Sequence, residues 1–89
     1  MNRQFIEGKI LNLFRKKDLM SDVGLEQDFF DLGVSSLTIV ELQIVIEKEL
    51  DVQVSTSDLM ISPTIMQWVE VYAEKAREQG LLELDSTVV

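Results

Sequence analysis

The chain has 89 residues and no cysteine, which fits one small domain and excludes disulfides and thiolate metal sites. Its 8 basic and 16 acidic residues give a formal net charge of -8; this charge excludes nucleic acid as an expected partner and favours basic protein surfaces. No secretory leader and no apolar run of membrane-spanning length is present, so we expect a cytoplasmic protein without a membrane partner.

The first predicted element is a helix over residues 4–17. Its apolar residues recur with the helical period: they are Ile6, Ile10, Leu13 and Phe14. Arg15, Lys16 and Lys17 close the segment, as expected for cations near the negative end of a helix dipole.

A segment without clear periodicity follows at residues 18–34. We interpret it as a long loop that is held against the core by its apolar residues, which are Leu25, Phe29, Phe30 and Leu32. A structureless loop of this length is uncommon in a small domain, and such loops often carry function.

The second helix is predicted over residues 36–50, and its apolar residues fall into two stripes at about 100° per residue. The expected core face consists of Ile39, Leu42, Ile46 and Leu50. A second stripe consists of Leu37, Val40 and Ile44, with Glu41 and Glu47 at its edges. Two interpretations stay open. The second stripe packs under the loop or another helix, or it is a small apolar patch that partner proteins bind.

The remaining segments predict two further helices. A single turn near residues 56–61 would be capped by Thr56 or Ser57, and a last helix would begin at Pro63 and end before Gly80. We therefore expect a domain over residues 1–79, with the C-terminal tail 80–89 as a candidate for disorder. The predicted fold is all-α, a four-helix bundle with a short third helix and a long loop between helices 1 and 2. The predicted core is Ile6, Ile10, Phe14, Phe29, Phe30, Leu42, Ile46, Leu50, Val54, Leu59, Ile65, Trp68, Val69 and Tyr72.

Catalytic and metal-binding patterns are missing from the sequence. The chain has no histidine, which is the commonest general base for activating a serine nucleophile. Asp28 and Asp31 do not have the spacing of a calcium loop, and Gly24 and Gly33 are too isolated to form a phosphate loop. We therefore expect a protein that is not an enzyme and holds no metal.

One stretch nevertheless points to a family. The motif "FFDLGVSSL" at residues 29–37 resembles the attachment loop of phosphopantetheine carrier proteins, which have a Phe-Phe-Asp-Leu-Gly-x-Asp-Ser-Leu pattern. The following "VELQIVIEKELDVQVSTSDLMISPTIMQWVEVY" is similar to the same family from the second helix to the Pro-Thr-apolar start of the fourth. The resemblance covers roughly residues 6–72 and implies an acyl-carrier-protein-like fold.

The resemblance also implies a modified serine. Ser36, directly before Leu37, would carry 4′-phosphopantetheine from coenzyme A, and the terminal thiol of that arm would hold an acyl or aminoacyl thioester. A phosphate at a helix start lies near unpaired N–H groups and the positive end of the dipole. Simple helix capping is the ordinary role of a serine in this place, and we assign it to Ser35 or Asp31.

The chain departs from the family pattern at one position. Ser35 stands where the family usually has an aspartate, which in relatives is thought to help position a metal ion during transfer of the arm. Ser35 can cap the helix, but it brings no charge.

Three functions are compatible with the sequence. "FFDLG" and "SPTI" favour a discrete, monomeric carrier in nonribosomal-peptide or hybrid polyketide natural-product assembly. The acidic charge fits a fatty-acid or polyketide acyl carrier protein, and a helical adaptor without an arm is the third. For a carrier, the resemblance implies as partners a phosphopantetheinyl transferase, an adenylating or acyl-loading enzyme, and downstream condensation, ketosynthase or tailoring enzymes. These would bind beside Ser36, on the stripe of Leu37, Val40 and Ile44 with Glu41 and Glu47.

Overall fold

The computed structural model describes residues 1–82, and all regular secondary structure in this part of the chain is helical. Its α-helices are α1 (Arg3–Arg15), α2 (Ser36–Leu50), α3 (Thr56–Met60) and α4 (Ile65–Glu78), and the 3₁₀ helices Asp18–Met20 and Phe29–Leu32 lie between α1 and α2. α1 packs against α2 and α4, and α3 packs against the same two helices. The predicted four-helix bundle with a short third helix is confirmed. Within residues 1–82, no helix is both long and apolar enough to cross a membrane.

The start of α4 corrects the prediction that Pro63 is its first residue. The helix begins at Ile65, and Thr64 is its N-cap. Thr64 Oγ1 accepts the backbone N–H of Gln67 at 3.2 Å, while Gln67 Oε1 accepts the backbone N–H of Thr64 at 3.2 Å. This reciprocal capping box satisfies two N–H groups at once, so the helix starts after the proline. At the other end Gly80 has a φ of 73°, the left-handed conformation in which glycine terminates helices.

The start of α3 also differs from the prediction. Its N-cap is Ser55, neither Thr56 nor Ser57, and the Ser55 side chain makes no capping hydrogen bond. The Thr56 hydroxyl instead donates to Gln43 Oε1 at 2.8 Å. The Thr56 hydroxyl, which the sequence predicted as a helix cap, is therefore bound to Gln43 of α2 instead.

The loop before α2 is more ordered than predicted, because it contains the two 3₁₀ helices. Backbone hydrogen bonds tie it to the start of α4: the Phe29 N–H donates to the Pro63 carbonyl at 2.9 Å, and the Met66 N–H donates to the Leu25 carbonyl at 2.9 Å. The Arg15 guanidinium donates from Nε and Nη2 to the Val23 carbonyl, at 3.1 and 2.9 Å. These contacts fix the approach of the chain to α2.

The centre of the core is a group of aromatic rings. Phe14 lies edge-on to Trp68 with ring centroids 4.8 Å apart, and Phe29 packs against Phe14 at 5.1 Å. The Trp68 indole N–H donates to the Ser62 carbonyl at 2.9 Å, so this large ring is buried with its polar atom satisfied. The fully or nearly fully buried residues that the sequence predicted are Ile6, Ile10, Phe14, Phe29, Leu42, Ile46, Leu50, Leu59, Ile65, Trp68, Val69 and Tyr72.

Two predicted core residues, Phe30 and Val54, are only partly buried. Phe29 and Phe30 are consecutive in a 3₁₀ helix, where neighbouring side chains point about 120° apart. Only Phe29 can therefore face the core, and Phe30 covers it from outside with the two centroids 5.0 Å apart. Val54 lies in the connector between α2 and α3 and packs against the core while it stays partly exposed. Ile39, which was predicted on the core face of α2, is buried as well, and the buried residues that the sequence did not predict include Met20, Val23, Val34, Val52, Ala73 and Ala76.

Among residues 1–82, one buried polar side-chain atom has no hydrogen-bond partner. The Tyr72 hydroxyl accepts and donates no hydrogen bond among the described residues. Burial raises the pKa of Tyr72 well above its usual value, and the negative charge of Glu47 raises it further. The side chain therefore stays neutral throughout the physiological pH range.

The C-terminal tail is described only in its first residues. Leu82 is partly buried and packs against the core, and the Leu81 carbonyl accepts from the Met1 amino group at 3.3 Å. Residues 83–89, on which most of the predicted disordered tail falls, lie outside the described residues. The domain boundary after residue 79 stays a prediction.

Candidate phosphopantetheine site at the start of helix α2

The two serines at the start of α2 have different surroundings. Ser35 is the N-cap: its Oγ accepts the Thr38 backbone N–H at 3.3 Å and lies 3.3 Å from Thr38 Oγ1. Asp31, the other residue that we considered for this cap, lies within the preceding 3₁₀ helix instead. The capping role that the sequence left open therefore falls to Ser35.

Ser36 is the first residue of α2, and its side chain is exposed. No group among residues 1–82 forms a hydrogen bond with its hydroxyl. The hydroxyl is thus both accessible to another protein and not needed by the fold, which is the combination that a modification site requires.

The first turn of α2 is open to an anion. The first N–H groups of a helix have no intrahelical acceptor; here the third, that of Thr38, is capped by Ser35, while those of Ser36 and Leu37 have no acceptor within the described part of the chain. The first turn contains no acidic side chain. A phosphate on Ser36 would therefore meet unpaired donors and no competing carboxylate.

Gly33 sets the direction from which the chain enters this site. Its φ of 88° is left-handed, and its N–H donates to the Phe30 carbonyl at 3.0 Å. A Cβ at Gly33 would meet no atom within 4 Å, so glycine is needed for the backbone conformation and not for space. The turn leads the chain out of the 3₁₀ helix and places the serines at the surface.

The two stripes of α2 lie as the helical angles predict. The core-face residues Ile39, Leu42, Ile46 and Leu50 are at most 2% exposed. The second stripe is on the surface, with Leu37 68%, Val40 37% and Ile44 61% exposed. The interpretation that the second stripe packs under the loop or another helix is therefore wrong.

The two acidic residues at the edges of this stripe are not equivalent. Glu41 is exposed and forms an ion pair with Lys17 at 3.4 Å. Such an exposed ion pair contributes little to the stability of the fold. Glu47 is half-buried: its Oε2 accepts the Val54 backbone N–H and the Gln43 side-chain N–H, both at 3.0 Å. Glu47 therefore holds the connector to α3 against α2.

Gln43 is the residue of this region whose role the sequence did not reveal. It is buried, donates from Nε2 to the Val54 carbonyl at 3.1 Å and accepts the Thr56 hydroxyl at Oε1. The sequence could have indicated this role through the position of Gln43 beside the core face of α2, because a buried polar side chain needs hydrogen-bond partners within the protein. Among the described residues, no group of three or more acidic side chains could hold a metal ion.

Comparison with known proteins agrees with this geometry. The family model "Phosphopantetheine attachment site" matches residues 9–71, a span that contains α2, α3, the preceding loop and both serines. The chain belongs to the phosphopantetheine attachment site family. Proteins of this family carry covalently attached 4′-phosphopantetheine, are generally not catalytic themselves, and work with phosphopantetheinyl transferases and synthetase enzymes. The predicted family and cofactor are confirmed.

A relative of this attachment-site domain is a plipastatin synthase protein of Bacillus subtilis (strain 168), which is 36% identical over 63 residues. The match covers 71% of this chain and 2% of the relative. The similarity is thus to one small segment of a far larger protein. No solved structure is significantly similar to the chain.

Proposed function

We propose that the chain is a discrete carrier protein whose 4′-phosphopantetheine arm is attached at Ser36 and presents an acyl or aminoacyl thioester to biosynthetic enzymes. The observation that carries this proposal is the exposed Ser36 hydroxyl at the first position of α2, which has no hydrogen-bond partner among residues 1–82. The neighbouring Ser35 is engaged as the helix cap, which supports Ser36 over Ser35 as the attachment residue.

The attachment reaction needs only the hydroxyl from this chain. The Ser36 Oγ forms a bond to the pantetheine-bearing phosphorus of coenzyme A, the phosphoanhydride bond to the nucleotide part breaks, and the hydroxyl proton passes to a base of the transferase. When bound, the arm supplies a thiol that carries the cargo as a thioester. The described residues offer no histidine or cysteine beside Ser36, which supports a carrier that is acted on by enzymes and is not one itself.

We propose that the carried thioester is an intermediate of nonribosomal-peptide or hybrid polyketide assembly. The relative in Bacillus subtilis is by name part of a plipastatin synthase, and this supports natural-product assembly over a fatty-acid carrier. We further propose that the carrier is a cytoplasmic monomer that recruits an adenylating or acyl-loading enzyme and then a condensation, ketosynthase or tailoring enzyme. A fatty-acid or polyketide acyl carrier and an unmodified helical adaptor are the alternatives.

A loading experiment separates these functions. The arm-bearing protein is incubated with amino-acid-activating enzymes and, in parallel, with acyl-activating enzymes, and the thioester is detected by intact mass before and after hydroxylamine treatment. Aminoacyl loading supports peptide assembly, and acyl loading alone supports the fatty-acid or polyketide alternative. A chain that never accepts the arm would support the adaptor.

We also propose that the exposed stripe of Leu37, Val40 and Ile44 is the docking patch for these enzymes. The patch begins next to Ser36, so an enzyme that binds it has the arm within reach. Apolar centres of interfaces carry most of the binding energy, whereas charges at the rim mainly affect association rate. The exposed Glu41 lies at this rim, and the overall charge of -8 favours partners with basic surfaces.

Replacement of the apolar centre should weaken the enzyme complexes. We expect Val40→Asp to reduce the rates of arm transfer and cargo loading at least tenfold, with a midpoint of thermal unfolding close to that of the wild type, because Val40 is on the surface. Val45→Asp is the matched control, since Val45 is a similarly exposed valine of the same helix outside the stripe. Unfolding of Val40→Asp, or equal losses in both variants, would contradict the patch.

Reversal of the rim charge should have a different signature. We expect Glu41→Lys to slow association with the transferase several-fold at low salt and to make the rate less sensitive to salt, because the long-range attraction is reduced. Glu47→Lys is not an equivalent variant, since it also removes the acceptor of the Val54 N–H. An unchanged salt dependence of Glu41→Lys would exclude a role of this rim in recognition.

A further inference from the structure

The basic residues of the chain are concentrated at its start. Residues 1–17 contain five of the eight basic residues and one of the sixteen acidic residues, so this segment has a formal charge of +4. The remaining three basic and fifteen acidic residues give the rest of the chain a formal charge of -12. Helix α1 and the residues that follow it therefore form a positive region on an otherwise acidic protein, and this region attracts acidic groups of other molecules.

The C-terminal end of this positive region borders a small groove between α1 and α2. The groove has a volume of about 170 Å³, and its lining residues are Leu13, Lys16, Lys17, Leu42 and Val45. Val45 is 41% exposed and Leu13 is half-buried, so both side chains are accessible from solvent. A cavity of about 150 Å³ accepts a benzene-sized ring. The groove is therefore large enough for one aliphatic or aromatic side chain of another protein.

The two lysines of the groove have different neighbours. Lys17 forms the exposed ion pair with Glu41, and because such a pair is worth little, an acidic group of a partner can replace Glu41. Lys16 is exposed, and no acidic group among residues 1–82 lies within ion-pair distance of it. Lysine side chains cover apolar surface with their methylene groups and keep the ammonium group in water. The groove thus combines an apolar lining with positive charge at its edge.

This groove is separate from the exposed stripe beside Ser36. Successive residues of a helix are about 100° apart, so Val45 lies roughly 140° around α2 from Val40. Glu41 lies between the two valines on this projection. A protein segment bound in the groove therefore covers a different side of α2 from the stripe.

We propose that the groove between α1 and α2 is a docking site for a partner protein that inserts an aliphatic or aromatic side chain flanked by aspartate or glutamate residues. The apolar lining holds the inserted side chain, and Lys16 and Lys17 pair with the flanking carboxylates. A second copy of this chain is a poorer occupant, because both copies carry a net charge of -8 and repel each other.

Docking in the groove does not require the phosphopantetheine arm. Its consequence rests on the proposed function: a carrier held by one protein at the groove can present Ser36 and the stripe to other enzymes. Such tethering raises the effective concentration of the carrier near those enzymes.

Selection of a phage-displayed library of random peptides on the unmodified full chain tests the inference. We expect the enriched peptides to combine aspartate or glutamate with a central leucine, isoleucine or phenylalanine residue. One enriched peptide is synthesised and titrated into isotope-labelled protein, where the largest amide shifts should surround Leu13, Lys16 and Val45. Absence of enrichment, enrichment of basic or uncharged peptides, or shifts centred on the stripe would overturn the inference.

Point variants test the site with the same synthesised peptide. Lys16→Glu should weaken its binding about tenfold and make the remaining affinity less sensitive to salt. Lys48→Glu is the matched control, because Lys48 is also an exposed lysine near the C-terminal end of a helix and has no acidic partner among residues 1–82. Val45→Asp should also lose the peptide, whereas Val40→Asp should bind it as the wild type does. Equal losses in Lys16→Glu and Lys48→Glu would indicate a general charge effect and contradict the site.

Two further measurements distinguish the other outcomes. Sedimentation of the wild type at rising concentration should show a monomer, and a dimer that Lys16→Glu dissociates would assign the groove to a second copy and overturn the inference. Intact mass after transferase treatment should show the arm on Lys16→Glu as on the wild type. A chain that binds the peptide but never takes up the arm contradicts the proposed function alone, and an arm-bearing chain that binds no acidic peptide contradicts this inference alone.

Discussion

Ser36→Ala is expected to abolish attachment of 4′-phosphopantetheine while the fold stays intact. The variant removes the nucleophilic oxygen, and the neighbouring Ser35 hydroxyl, held as the helix cap at 3.3 Å from the Thr38 nitrogen, should not replace it. Ser36 is exposed and its hydroxyl supports no internal hydrogen bond in the described structure, so the free energy of unfolding should change by no more than about 0.5 kcal/mol. Intact mass and thermal unfolding of the same sample measure both effects.

Ser35→Ala is the matched control, because it removes the adjacent hydroxyl. It should lower the free energy of unfolding by about 1 kcal/mol through loss of the cap and still accept the arm. The reverse result, with the arm on the Ser36→Ala protein and none on the Ser35→Ala protein, would place the attachment site one residue earlier.

The second large effect is expected in the core. Phe29→Ala should destabilise the protein severely, because truncation of a fully buried phenylalanine costs about 3–5 kcal/mol, a large share of the roughly 5–15 kcal/mol by which a domain is stable. Phe29 contacts both Phe14 and Trp68, with ring centroids at 5.1 and 5.9 Å. Circular dichroism at 222 nm during a urea titration measures the loss.

Phe30→Ala provides the comparison within the same 3₁₀ helix. Phe30 is partly buried, so its truncation should cost roughly 1–2 kcal/mol and leave a cooperative transition at a lower urea concentration. A Phe30→Ala protein that is less stable than Phe29→Ala would show that Phe30, and not Phe29, is the ring that faces the core.

The sequence predicted those features that depend on helical periodicity. In α2, apolar residues at two sets of angles were enough to separate the buried face from the exposed stripe of Leu37, Val40 and Ile44, because a 15-residue helix samples each angle several times. The pair Phe29 and Phe30 could not be resolved in this way. The segment is too short for a period, and both residues are equally apolar.

The polar contacts of the α2–α3 connector also escaped sequence analysis. Glu47 accepts a backbone N–H seven residues later, from Val54, and no residue type marks a backbone partner in the sequence. The start of α4 was predicted wrongly because Pro63 favours a first helical position, whereas the capping box of Thr64 and Gln67 makes Ile65 the first helical residue. The choice of Ser36 over Ser35 came from the family resemblance and stays a prediction; the structure shows that Ser35 is the helix cap.

The measurement that tests the proposed function most directly is the intact mass of the wild-type chain after incubation with coenzyme A and a phosphopantetheinyl transferase, followed by peptide mapping. The proposal predicts a mass increase of one 4′-phosphopantetheine group, located at Ser36. An unchanged mass under conditions in which a known carrier protein is fully modified in the same tube, or a modification at any other residue, would contradict it.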